Sequence, residues 1–287
     1  MMGGWAFIIL CSATSVLIAH FLKVVESKGL STVRVLTINY AVAATTAFFL
    51  SGGFSSGYPA DGFPGGAYIL AVITGFFFIA NFFIYSKSVF YNGVGISIAA
   101  MRISLIIPVL LSTAWYYDLL STEQWLGVLL VFLTLFLLLP DKWKMLKEPF
   151  SAAWLLVLLF LGTGIGDATL KIYEVEFSRL IAKELFMCFV FLVSFLIGLT
   201  VLFVQNKWKF TRKEIFLGIA VGIPNLYTTI FLIEALERMN GAVVYSGVNI
   251  LTVLGGTLLG LMRWGDRLTR VQWGGIFLTV VAILLLI

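Results

Sequence analysis

Arg102 is the residue in this sequence that most needs a chemical reason. It lies inside an apolar run from Val94 to Tyr116, and an arginine at the centre of a membrane helix costs about 2.5–3.5 kcal/mol on insertion scales. In that setting a guanidinium holds an anionic group, a carboxylate or a phosphate. The plainer alternatives are a snorkelling side chain or a structural ion pair inside a bundle. Asp167, in the run from Ala152 to Tyr173, is the complementary group, suited to a cationic group or a coupling proton. Asn39, Asn81, Asn225 and Asn249 add neutral hydrogen-bonding side chains inside other apolar runs. Each of them serves equally well as an interhelical hydrogen bond. Phe77, Tyr227 and Tyr245 are placed to pack the apolar body of a small ligand.

At about 1.5 Å per residue, Arg102 falls on the order of 12 Å from one membrane face. Asn39 and Asn81 fall roughly 8–12 Å from that face, with His20 somewhat shallower. Asp167 and Asn249 fall roughly 8–10 Å from the other face. The expectation is a polar layer from each half of the chain, with a binding site between them and Asn225, after Pro224, near the midplane.

Other chemistries find no footing. There is no HExxH, no G-x-S-x-G and no phosphate-binding glycine loop. The single histidine excludes a two-histidine metal site. Cys11 and Cys188 both lie in apolar runs without CxxC spacing, so no disulfide framework or zinc site is implied, and no cofactor is expected. An intramembrane enzyme would have to use Asp167 as its carboxylate; the expectation is a non-enzyme. The formal charge of +5 comes from short basic stretches such as Lys142, Lys144 and Lys147 between apolar runs. That pattern marks membrane topology and not a nucleic-acid footprint.

The elements that carry these residues follow from composition. Hydrophobic residues make up 61% of the 287 residues and charged residues 11%, against roughly 45–50% and about 25% in soluble domains. Ten runs approach the roughly 20 apolar residues that a span needs. They are Trp5–Val24, Thr32–Ser51, Gly66–Phe90, Val94–Tyr116, Thr122–Leu139, Ala152–Tyr173, Leu180–Phe203, Lys213–Leu236, Ala242–Met262 and Val271–Ile287. Helices are expected, because lipid cannot satisfy exposed backbone groups and runs such as Leu155–Leu161 lack the alternation of a barrel strand. Met1-Met2-Gly3-Gly4 has no basic n-region, so the first run reads as a retained helix. Asn92-Gly93 and Asn240-Gly241 punctuate as turns, and Ser121 with Gln124 as a capping box. Pro108 and Pro224 predict kinks. Gly162, Gly164 and Gly166, Gly218 and Gly222, and Gly256 and Gly260 predict close helix contacts. Asp118 and Asp266, at helix junctions, read as capping residues.

An offset of 148 residues superposes the two halves. Leu22-Lys23 meets Leu170-Lys171, Glu26 meets Glu174, Asn92-Gly93 meets Asn240-Gly241, Asp118 meets Asp266, and Gln124-Trp125 meets Gln272-Trp273. The chain therefore divides into a first five-helix repeat at 1–140, a basic linker at 141–150 and a second repeat at 151–287. Five is odd, so the second copy enters the membrane from the opposite side. The expected fold is an all-α integral membrane protein of ten transmembrane helices, two inverted five-helix repeats around a central cavity. Fourteen of the nineteen Lys and Arg residues fall at the loops joining helices 1–2, 3–4, 5–6, 7–8 and 9–10, which places those loops in the cytoplasm and both termini outside.

The stretch Trp264-Gly265-Asp266-Arg267-Leu268-Thr269, followed by Gln272 and Gly275, resembles the Gly-Glu-x-Leu-Thr-x-x-Gln-x-x-Gly signature of the drug/metabolite transporter superfamily, ten-helix EamA-type branch. Asp118, Leu120, Gln124 and Gly127 form a weaker copy. Asp stands for the usual Glu at 118 and 266, and Tyr117 for the Gly. The resemblance implies a basket of helices with 1, 3, 4, 6, 8 and 9 around a cavity, alternating access, and cytoplasmic termini, opposite to the charge count. The expected function is a secondary active transporter for a small amphiphilic metabolite, an amino acid or another anionic or zwitterionic compound, with protons as a possible coupling ion. It would act as a monomer or homodimer in a bacterial cytoplasmic membrane. The alternative is a non-transporting membrane protein, a receptor-like scaffold or an intramembrane enzyme.

Overall fold

Without water to bond to, a chain this apolar must satisfy its backbone internally. The computed structural model describes residues 2–53, 64–138, 152–265 and 268–287, and among them regular structure is helical throughout. The helices are α1 (Met2–Ser27), α2 (Thr32–Leu50), α3 (Gly65–Asn92), α4 (Val94–Ile103), α5 (Ile106–Leu110), α6 (Thr122–Leu138), α7 (Ala153–Ile172), α8 (Lys183–Val204), α9 (Arg212–Leu236), α10 (Gly241–Leu259) and α11 (Arg270–Leu286). The basic linker with Lys142, Lys144 and Lys147, and the pair Asp266-Arg267, lie outside the described residues.

Among the described residues, eight stretches are long and apolar enough to cross a membrane: Gly3–Ser27, Thr32–Leu50, Gly65–Asn92, Ile96–Trp115, Ala153–Phe177, Lys183–Val204, Arg212–Leu236 and Gly241–Arg263. The remaining two expected spans, α6 and α11, are apolar helices of 17 residues each, at the short end of the spanning range of roughly 17–25. Large apolar side chains such as Phe49, Leu129, Phe216 and Phe277 point outward, as they do where hydrocarbon and not water surrounds a bundle.

The expected fourth helix carries a two-residue turn, with Ser104 and Leu105 both still in the right-handed helical region. α4 stops at Ile103, a turn covers Ser104 and Leu105, and α5 resumes at Ile106. The cause is Pro108, which lacks the N–H that would bond to the Ser104 carbonyl and whose ring crowds that carbonyl. The Ser104 carbonyl accepts instead from the Ile107 amide at 2.9 Å, and the Ser104 hydroxyl donates to the Met101 carbonyl at 2.6 Å. The turn therefore begins two residues after Arg102. Pro224, by contrast, sits inside an α9 that runs unbroken.

The halves interleave. α1 packs on α9 and α10, α2 on α8 and α9, α3 on α7 and α8, and α6 on α11. The two repeats are thus units of sequence and not separately packed domains. Glycines permit the closest crossings. A methyl added at Gly222 would stand 2.8 Å from both the Asn39 carbonyl oxygen and Val42 Cβ, and one at Gly75 would stand 2.9 Å from Val193 Cβ. Gly218 likewise faces Ile38. Gly256 departs from the expected close contact, for nothing lies within 4 Å of its added methyl; its neighbour Gly255 is the residue turned to Val16 of α1.

Several contacts repeat at the 148-residue offset. Gly127 packs on Leu285 and Leu286, and Gly275 on Leu137 and Leu138. The Gln124 side-chain amide reaches the Leu286 carbonyl at 3.5 Å, and that of Gln272 reaches the Leu138 carbonyl at 3.4 Å. Both glutamines also close capping boxes, Gln124 with Ser121 as expected and Gln272 with Thr269. The Thr-x-x-Gln-x-x-Gly pattern thus has a mechanical meaning: cap the helix, tie its start to the partner helix, and let the two approach. A π-helical turn closes the segment before each of them, Leu111–Trp115 and Gly260–Trp264. After it comes a residue in the left-handed region, Tyr117 at φ 56° and Gly265 at φ 69°.

Candidate functional site

The site grows from the turn in the fourth span. Arg102, at the end of α4, donates from its guanidinium to the Asn249 side-chain oxygen of α10 at 2.9 Å. The Asn249 amide donates to the Tyr245 carbonyl one turn earlier at 3.1 Å. The Tyr245 hydroxyl crosses to α7 and donates to the Asp167 carbonyl oxygen at 2.8 Å. The Asp167 carboxylate lies within electrostatic reach of Arg102 and of Cys11 on α1. Four helices that are distant in sequence thus converge on one cation and one carboxylate. Arg102, Asp167 and Asn249 are each half-buried.

This geometry corrects the expectation of two separate layers. Arg102 and Asn249, which a count of residues along each span puts in opposite layers, bond directly.

A second polar group lies where α2, α9 and α1 meet. The Asn225 amide donates to the Asn39 side-chain oxygen at 3.1 Å, and the Thr228 hydroxyl meets the Thr14 hydroxyl at 2.7 Å. Asn81 is on α3, where its amide faces Gly162 and Gly166 of α7, with Phe77 one turn before it on the same face. The side-chain oxygen of Asn81 and the side-chain nitrogen of Asn39 are buried without a hydrogen-bond partner, as is the Thr163 hydroxyl. Buried polar atoms are nearly always satisfied, so these are the atoms with capacity left for a ligand. Tyr227 stands apart from the Arg102 cluster: its ring lies 5.7 Å from Phe231, which in turn lies 6.1 Å from Phe7. His20 does not join the polar layer either. It lines a groove between α1 and α9 at the end of the bundle.

Sequence reasoning missed two features. Tyr85 of α3 lies in electrostatic reach of Arg102; spacing along α3 gave no reason to separate it from the other aromatics. Lys171, singled out in the sequence only by the 148-residue repeat, is 3% exposed. Its ammonium lies 3.2 Å from Asp118 and 2.8 Å from Glu174, with the Tyr116 ring 6.0 Å away. Asp118 does act as a cap, but for a distant helix. It accepts the Gly241 amide at the start of α10 at 2.8 Å, together with the Ser112 hydroxyl.

At the same end of the bundle Lys183 lies 2.6 Å from Glu234 and 2.8 Å from Glu237, and Arg238 also pairs with Glu234. At the opposite end Glu214 of α9 is fully buried. It holds the Arg34 guanidinium at 2.7 and 3.0 Å and the Ser31 amide at 3.0 Å. Ionic ties therefore close both ends, with the Arg102 cluster between them. No group of three or more His, Cys, Asp or Glu placed to hold a metal occurs among the described residues.

No protein-family model matches this sequence. It is 29% identical over 289 residues to an uncharacterized protein of Haemophilus influenzae strain Rd, covering 96% of this chain and 94% of that one. A protein of known crystal structure superposes with a TM-score of 0.72 at 15% identity, covering 97% of each chain. At that identity the likeness concerns the fold.

Proposed function

We propose that this chain is a secondary transporter of ten spans, arranged as two inverted repeats, for a small anionic or zwitterionic metabolite. The observation that carries the reading is Arg102: a charged guanidinium in an apolar span, beside a turn in the helix, held by Asn249 of the other half with Asp167 in reach. Intramembrane charges that face a bundle interior mark substrate and ion pathways. Arg102 receives a carboxylate or phosphate, while Asp167 takes an ammonium group or a coupling proton. Tyr245 positions Asp167 through its backbone, and Phe77 and Asn81 form the wall on α3.

The reciprocal packing of Gly127 with Leu286 and of Gly275 with Leu138 supports the pseudo-two-fold relation, which supplies two near-equivalent conformations, one open to each side. This reading accords with the resemblance to ten-helix drug/metabolite transporters and with residence in a bacterial cytoplasmic membrane. Energy comes from a gradient, by proton antiport or by exchange.

Purified protein in liposomes, loaded with mixed amino acids and organic anions, tests it by counterflow of labelled compounds. At least one compound is accumulated by the wild type and not by Arg102→Gln at equal protein level. No counterflow for any compound, or full uptake by Arg102→Gln, overturns the proposal.

A further inference from the structure

The end of the bundle closed by Arg34 and Glu214 carries a groove that the central site does not use. It lies between the last turns of α1 and the first turns of α9, with a volume of about 380 Å³. Lys28, Arg212 and Lys213 stand at its mouth, all exposed, and Phe21, Phe216 and Leu217 form its walls. No acid lines it. The nearest carboxylate along α9, Glu214, is turned inward and committed to Arg34, Ser31 and the Thr211 amide. Glu26 points elsewhere, about 200° around α1 from Lys28, on the side where its charge is felt by Tyr85 of α3. Lys207 and Lys209, in the segment leading into α9, add to the same sign of charge.

We propose that this groove binds an anionic glycerophospholipid, with the headgroup phosphate on Lys28, Arg212 and Lys213 and an acyl chain against Phe21 and Phe216. Two observations select that occupant. The cations lie at the ends of two spans, at headgroup depth, where basic residues between transmembrane helices attract acidic lipid. The walls below them are apolar and open sideways toward hydrocarbon, with Phe216 69% exposed. A free phosphate would use the cations and leave that wall unmatched; a diacyl lipid uses both. α1 and α9 also carry Thr14 and Asn225 of the central region, so a lipid wedged between them bears on the helices that must separate if the bundle moves.

The test is native mass spectrometry of the full chain in detergent, with phosphatidylglycerol or phosphatidylcholine added at equal concentration. Phosphatidylglycerol adducts should predominate. The triple substitution Lys28→Gln, Arg212→Gln and Lys213→Gln should reduce them roughly tenfold or more, with an unchanged unfolding midpoint in lipid-free detergent, since all three side chains are exposed. Raising ionic strength on the wild type should weaken retention in the same direction, a measurement that needs no variant. Equal retention of the two lipids, or undiminished retention by the triple variant, overturns the proposal. So does displacement of phosphatidylglycerol by millimolar inorganic phosphate, which would make the groove a soluble-anion site. None of these readouts depends on transport.

Discussion

Replacing Lys171 with methionine removes an ammonium and little else, because methionine keeps most of the aliphatic stem. In the wild type that ammonium is 3.2 Å from the Asp118 carboxylate and 2.8 Å from Glu174, and the residue is 3% exposed. Its loss leaves two carboxylates together with no cation between them. Removing one partner of a buried pair costs about 3–5 kcal/mol. Here the carboxylates keep 18% and 16% side-chain exposure, and Asp118 retains the Gly241 amide at 2.8 Å. Water and that amide absorb part of the penalty, which brings the expected loss to about 2–3 kcal/mol. The assay is SDS titration of purified protein, following unfolding by tryptophan fluorescence, with Lys171→Arg as a charge-preserving control. Neutralising the acids as well, with Asp118→Asn and Glu174→Gln added to Lys171→Met, should restore about half of the loss or more, because the cost lies in uncompensated charge. A loss below about 0.5 kcal/mol for Lys171→Met would mean that the cluster is screened as if on the surface. A triple variant weaker than the single one would locate the cost in packing. Either result refutes the argument.

Two further substitutions test local claims. Tyr117 is exposed and holds φ 56° at the position where the second half has Gly265 at φ 69°; Tyr117→Gly should stabilise the protein by about 1 kcal/mol in the same titration, since a side chain costs roughly 1–2 kcal/mol in the left-handed region. Gly222→Ala should destabilise by about 1–3 kcal/mol through overpacking against Asn39 and Val42, whereas Gly256→Ala, with open space around it, should be neutral or slightly stabilising by helix propensity.

Much of this protein was legible in its sequence, for reasons that lie in the solvent. Lipid permits few backbone arrangements, so apolar runs translate into helices with small errors at their ends. Capping signals act over one turn, which is why Ser121 with Gln124 predicted a real capping box. Pro108 foretold a disturbance in the fourth span, since the lost N–H is local, and the turn at Ser104 and Leu105 is that disturbance. The 148-residue register also pointed to the matched crossings of α6 and α11, because Gly127 and Gly275 matter only through the partners they admit.

What only the tertiary structure decided is which polar groups meet. Depth along a helix placed Arg102 and Asn249 in opposite layers, and packing joined them, because depth fixes one coordinate and says nothing about rotation about the helix axis or side-chain reach. The same missing coordinate hid Lys171, whose ammonium meets Asp118 and Glu174. Sequence determines what each span can offer; the angle at which neighbouring helices present their faces determines which offers are taken up.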